Sequence, residues 1–367
     1  MKQNILVYST LLLITLFYYG CAQNNHSKNN ILQPKNIILM IGDGMGLSQI
    51  TAAMYSKGNG LNLEEAKYIG LIKTNSASSI ITDSAAGATA FSTGEKTYNG
   101  SINMNIDTLP INPITFNLHE NNIKTGIVTS SSVTHATPAC FYGNMKNRYD
   151  NKELLAQQFI SSNVNVLIGG GEKYFNNRSD RINLIDTLKQ LNYTIIDSIN
   201  APIPSGTEKL INFCAYNEPP SMREGRGEFL AQASMKAIQV LDENNSHGFF
   251  LMIEGAQIDW GGHDKDSEYI ISETIDFDNT IKHVLEFAKK DRETLVLITA
   301  DHETGGYGII DGNILNKSIE ADFLSDDHTA TMVPIFAFGP GAKDYIGIYH
   351  NNEIYKKMLN SFQINKP

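Results

Sequence analysis

Six short apolar runs punctuate the chain, each bordered by Gly-, Ser- or Asp-rich turns and amphipathic stretches. They cover 36–41 (NIILMI), 124–129 (KTGIVT), 164–168 (VNVLI), 248–253 (GFFLMI), 294–299 (TLVLIT) and 333–338 (VPIFAF). Runs of this length that do not alternate with polar residues predict strands buried on both faces, as in a parallel sheet covered by helices. Helical spacing predicts helices over 84–92, 152–159, 226–241 and 269–289. The expected fold class is therefore α/β, with a mainly parallel central sheet flanked by helices on both faces. The stretch 174–224 is irregular apart from a helix over 181–191, and no role is assigned to it. No repeat and no low-complexity linker divides the chain, so 36–367 is read as one domain.

The first 20 residues break this rhythm. One charged residue, Lys2, precedes an apolar run that ends at Gly20 and Cys21. That run is short for a membrane span and stops at a small residue, which predicts an export signal over 1–20. The Gly20-Cys21 junction further predicts a lipoprotein acylated on Cys21, with a conventionally cleaved signal or an uncleaved anchor as alternatives. The polar stretch 21–35 reads as a tether, and the expected location is periplasmic or outer-membrane-associated. Cys140 and Cys214 remain for the folded part; an oxidising compartment permits a bridge between them without requiring one.

Composition narrows the function classes. Of 367 residues, 41% are apolar, enough for a sizeable core. Lys and Arg number 29 against 39 Asp and Glu, a net charge of -10. No basic patch offsets this, so the sequence shows no nucleic-acid recognition surface.

Ligands of open parallel sheets bind beyond the carboxyl ends of the strands. There the chain carries Asp43, then His135 and Thr137, then Glu254, Asp259 and His263, then Asp301 and His302. His328 precedes the 333–338 strand and reaches the same face only through a loop. Singly, Asp43 reads equally as a turn residue, and Asp259 with His263 as an exposed pair on one helical face. Together they form an Asp/Glu/His set without cysteine, which suits zinc with mixed nitrogen and oxygen ligands plus a harder ion such as magnesium. Ser84 opens a small-residue helix, where free backbone N–H groups can hold phosphoryl oxygens; its plain alternative is a helix cap. It lies in no G-x-S-x-G turn and has no evident general-base histidine, so a metal would have to activate it.

With these pieces in place, the chain resembles the alkaline phosphatase family. The resemblance is carried by IGDGMG from Ile41, TDSAAGATA from Thr82, THATPA from Thr134, EGAQIDWGGH from Glu254, ADHETGG from Ala300 and DHTATMVPIFAFGPGA from Asp327. It implies the fold of that family and a site with two zinc ions and one magnesium ion. Asp259, His263 and His328 would hold the first zinc; Asp43, Asp301 and His302 would hold the second, beside the nucleophile Ser84. Asp43 would also bridge to magnesium held by Thr137 and Glu254, and Arg148 would clamp the phosphoryl group. The implied reaction is hydrolysis of small phosphate monoesters through a covalent phosphoserine at alkaline pH.

His135 and Trp260 stand where the best-known bacterial members have Asp and Lys, a pairing similar to some cold-adapted marine members. It implies weaker phosphate affinity and faster product release. Only 25 residues separate His302 from His328, where larger members insert a lobe over the dimer, so a homodimer stays open. The alternatives are a phosphodiesterase of the same superfamily and a non-catalytic phosphate- or metal-binding lipoprotein. A sulfatase would need a C-x-P-x-R motif, which neither Cys140 nor Cys214 supplies.

Overall fold

The structure is a computed structural model that describes residues 33–364. The export signal, Cys21 and the tether as far as residue 32 lie outside the described residues. The tether's last three residues are described, and they belong to the fold: Pro34 is buried and the Lys35 N–H donates to Glu293 O at 2.8 Å.

Fourteen strands are described. In chain order they are β1 (Asn36–Gly42), β2 (Tyr68–Lys73), β3 (Lys124–Ser132), β4 (Val166–Gly170), β5 (Thr194–Ile195), β6 (Leu210–Ala215) and β7 (Phe249–Gly255). They continue with β8 (Thr294–Thr299), β9 (Glu303–Thr304), β10 (Tyr307–Asn313), β11 (Ser318–Phe323), β12 (His328–Thr329), β13 (Val333–Phe338) and β14 (Gly347–His350). Ten form one sheet in the order β14-β2-β13-β8-β1-β7-β3-β4-β6-β5. Every residue of β1, β7 and β8 is buried, as uninterrupted apolar runs dictate. Two sets of helices that flank the sheet cover its faces. Phe229–Asp242 and Ser267–Asp291 pack against the central strands in one set, while the short helices Ile114–Glu120 and Ala136–Ala139 belong to the other with Ser84–Thr93.

All six predicted strands are present, 294–299 and 333–338 to the residue and the other four with starts or ends shifted by one to three residues. The irregular stretch supplies a sheet edge, β5 and β6, together with the helix Leu184–Gln190. Cys140 and Cys214 are both free, so the permitted bridge does not form.

The direction of one strand decides where His328 lies. β13 runs antiparallel to β8, with Ile335 opposite Thr299. Its first residues therefore lie at the edge where the parallel strands finish. The segment before it joins that edge through a small ladder in which His328 pairs with Thr304 and Thr329 with Glu303.

Arg226 is a buried cation. Its Nη2 donates to Asp276 Oδ2 at 2.9 Å and to Glu273, and its Nη1 donates to Pro220 O at 3.2 Å. Removing the cation strands two carboxylates in the core. Arg226→Ala is expected to destabilise the fold by about 3–5 kcal/mol, read by urea unfolding. A loss below about 1 kcal/mol would show that the acids find water or protons at little cost.

Candidate active site at the carboxyl edge of the sheet

Asp43 follows directly on β1. The turn needs glycine at position 44, where φ is +73° and a Cβ would lie 2.8 Å from the Asp259 Cα. The Gly44 N–H donates to Asp301 Oδ1 at 3.3 Å, tying the end of β1 to the loop after β8. Register places Glu254 of β7 beside Ile41 and Thr129. The Thr129 hydroxyl donates to Glu254 Oε2, and Ser131 Oγ adds a bond of 3.3 Å.

Five buried oxygens at this edge have no hydrogen-bond partner: both of Asp43, Asp301 Oδ2, Glu254 Oε1 and Thr137 Oγ1. Buried polar groups are rarely left unpaired, because each costs on the order of 1–3 kcal/mol. Here five such groups sit in one small region.

Three imidazoles face the same region, and their hydrogen bonds fix their tautomers. His263 Nδ1 lies 2.7 Å from Asp326 O, and His328 Nδ1 lies 2.8 Å from Thr82 O; a carbonyl only accepts, so both Nδ1 atoms carry the proton. Thr304 Oγ1 donates to Asp259 Oδ1 at 2.5 Å and so accepts from His302 Nδ1 at 3.2 Å. In the neutral rings all three Nε2 atoms therefore present lone pairs. His263 Nε2 and His328 Nε2 face each other at 3.2 Å and lie 3.4 Å from the two Asp259 oxygens. His302 Nε2 lies 3.2 Å from Asp301 Oδ2 and 3.4 Å from Asp43 Oδ1. Lone pairs and carboxylates converging in this way call for cations. Ligand atoms of Asp43, Asp301 and His302 all lie within 4.8 Å of one another, as do those of Asp259, His302 and His328 and those of His263, Asp327 and His328.

Ser84 is the first residue of the Ser84–Thr93 helix, and its Oγ lies 3.3 Å from His302 Nε2. Asp83 caps that helix, Oδ1 accepting from Ala86 N at 2.9 Å. Its Oδ2 accepts from Gly100 N at 2.9 Å and lies 3.6 Å from Arg148 Nη1. One carboxylate thus positions both the serine and the guanidinium. Arg148 Nη2 reaches His135 Nε2 at 3.3 Å, so His135 accepts there. Burial, followed by the charges of Arg148 and Lys152, pushes the His135 pKa well below its usual value and keeps the ring neutral. Trp260 meets that ring edge-on at 6.0 Å. A cleft of about 950 Å³ opens over Ser84, Arg148, His135, Asp259, Trp260 and His328.

All twelve site candidates within the described residues thus come to one edge of the sheet; Cys21 lies outside them. Sequence reading missed Asp83, Thr129, Thr304 and Asp327. An Asp directly before a small-residue helix is a capping signal, so Asp83 was findable; the others act through contacts across the fold.

Without cations, protons must balance the cluster: the bond to Asp259 raises His263 to about 9 while Asp259 and Asp301 stay charged, and the other two acids take protons. Burial raises the Asp43 pKa well above its ordinary value, with Asp301 and Asp259 adding to it. Burial likewise raises Glu254 to about 7, opposed by the Thr129 hydroxyl and reinforced by Asp301. An acid raised on folding stabilises fully below its unfolded value and loses that contribution as pH climbs through the folded value. The chelated protein is therefore expected to lose thermal stability between about pH 4.5 and 7, and added divalent ions should flatten the loss. Calorimetry across pH checks this; a chelated protein whose Tm rises through that interval would contradict it.

The model for the family described as alkaline phosphatase matches residues 34–322. The chain belongs to the alkaline phosphatase family. Alkaline phosphatase from the Antarctic bacterium TAB5 is 44% identical, with a TM-score of 0.86 over 91% of this chain and 100% of that one. Alkaline phosphatase 4 of Bacillus subtilis is 31% identical over 386 residues, spanning 99% of this chain and 83% of its own. The alkaline phosphatase of Escherichia coli is 29% identical over 88% of this chain and 85% of its own. This alkaline phosphatase accordingly hydrolyses phosphate monoesters.

Proposed function

We propose that hydrolysis proceeds through a covalent phosphoserine on Ser84 at a site holding two zinc ions and one magnesium ion. The five unpartnered oxygens and the three same-tautomer imidazoles carry this reading, because only cations satisfy them together. Asp259, His263 and His328 would hold the first zinc, and Asp43, Asp301 and His302 the second. Asp43, Glu254 and Thr137 offer hard oxygens suited to magnesium. A variant of the TAB5 enzyme in which a histidine is replaced by glutamate is described with Mg bound in a site called M3. When bound, the ions supply Lewis acidity and neutralise the charge that builds on the phosphoryl oxygens.

The chain's own groups do the rest. Ser84 Oγ attacks phosphorus in line as its proton passes to solvent, and the bond to the ester oxygen breaks, that oxygen taking a proton from water and leaving as the alcohol. Arg148 offers two forked donors to non-bridging oxygens. The helix N-terminus at Ser84 adds favourable N–H dipoles to the same oxygens. Neutral His135 accepts from Arg148 and keeps the fork aimed. Water then attacks the phosphoserine in a second in-line step, returning Ser84 and releasing phosphate. Loss of the serine proton favours turnover at alkaline pH. Acylation of Cys21 would hold the enzyme at a periplasmic or outer-membrane surface, and a homodimer is compatible with the site. With Trp260 in place of a cation near bound phosphate, product release is fast.

Brief incubation with a monoester carrying radioactive phosphate, followed by acid quenching, tests the covalent step. Label on the peptide containing Ser84 is expected; label absent there while product forms would refute it.

A further inference from the structure

We propose that Asp327 is a transfer ligand that takes divalent cations from solvent and passes them inward, without being a ligand of the resident ions. This role rests on the two-zinc, one-magnesium reading of the site.

The three ligand triplets overlap in sequence. His263, Asp327 and His328 form the outer one; Asp259, His302 and His328 the middle; Asp43, Asp301 and His302 the inner. Each shares one histidine with the next. Side-chain exposure falls along the series, from 39% at His263 to 7% at His328 and 0% at His302. A cation can therefore move from solvent to the buried acids by successive ligand exchange, always keeping at least one imidazole. Stripping every ligand at once would cost far more than each single exchange.

Asp327 has a place in this series but none in a working first zinc site. Asp259, His263 and His328 already give three protein ligands, and a catalytic zinc keeps its fourth position free for substrate or water. Permanent binding by Asp327 would fill that position. Its exposed carboxylate lies at the mouth of the cleft, where Oδ1 accepts only from the His328 N–H at 2.8 Å. Replacing Asp327 by Asp259 around an ion retains both His263 and His328, a one-ligand step inward. The charge also favours capture, since carboxylates at a cleft mouth raise the local concentration of divalent ions.

The test separates rate from equilibrium. Full-length enzyme is stripped with chelator and desalted, Zn²⁺ alone is added, and bound zinc is counted after rapid desalting at timed intervals. Asp327→Asn is expected to slow uptake on the order of tenfold while final zinc content equals that of the parent. Asp327→Glu, which keeps the charge, should restore most of the rate and guards against a folding defect in the amide variant. Uptake by Asp327→Asn at the parent rate overturns the proposal. So does a lower final zinc content, which would make Asp327 a resident ligand. If the parent binds no zinc, the metal reading itself falls, and this inference with it.

Discussion

Ser84→Ala is expected to lower kcat for phosphate monoesters by about 10⁴-fold, on the order of 5 kcal/mol in the activation free energy. The cause is local. The Ser84 side chain is buried at the N-terminus of its helix, and its hydrogen-bond contact is His302 Nε2 at 3.3 Å. Alanine keeps the helix, because the capping acceptor belongs to Asp83 and not to the serine. Thermal stability should change by less than about 1 kcal/mol, so the loss can be assigned to chemistry. Phosphate should still bind, since Arg148 and the ligand set are untouched. A variant that retained a tenth of the parent kcat would place the nucleophile elsewhere, with a water molecule as the first alternative.

Chelation is the second large effect. Treatment with EDTA is expected to reduce activity to about 1% or less of the starting value, with recovery needing both Zn²⁺ and Mg²⁺. It should also lower Tm, because ligands that bind only the folded state contribute about 4 kcal/mol at a thousand times their dissociation constant. The source of that linkage is visible in both oxygens of Asp43, in Asp301 Oδ2 and in Glu254 Oε1, which are buried and unpaired. Elemental analysis beside the assay decides the matter. A protein shown to be free of metal yet still turning over monoester would remove the ions from the mechanism.

Much of the fold was legible because the strands that carry the site are buried on both faces. NIILMI and TLVLIT cannot be exposed without large cost, so their apolar runs announce them. β2 is half exposed, with an uneven burial pattern, and no comparable signal marks it. β6 is hidden in a turn-rich stretch whose strand character comes from pairing with β4. The ligand positions were legible from motif spacing and from their place after strands. The tautomers and the roles of Thr304 and Asp83 were not, since they depend on contacts such as Thr304 with Asp259, 45 residues apart. His328 was the instructive residue: standing before its strand, it joined the others only because β13 runs backwards.

The reversal of β13 also has a temporal consequence. β1 and β8 are neighbours although Asn36 and Thr294 are 258 residues apart, and His328 reaches the site only once β13 has docked beside β8. Assembly with such distant pairings is slow, because loops must close before contacts reward them. The complete set of cation ligands therefore exists only in a nearly finished molecule. Ions therefore meet the full set of ligands only once the fold is nearly complete.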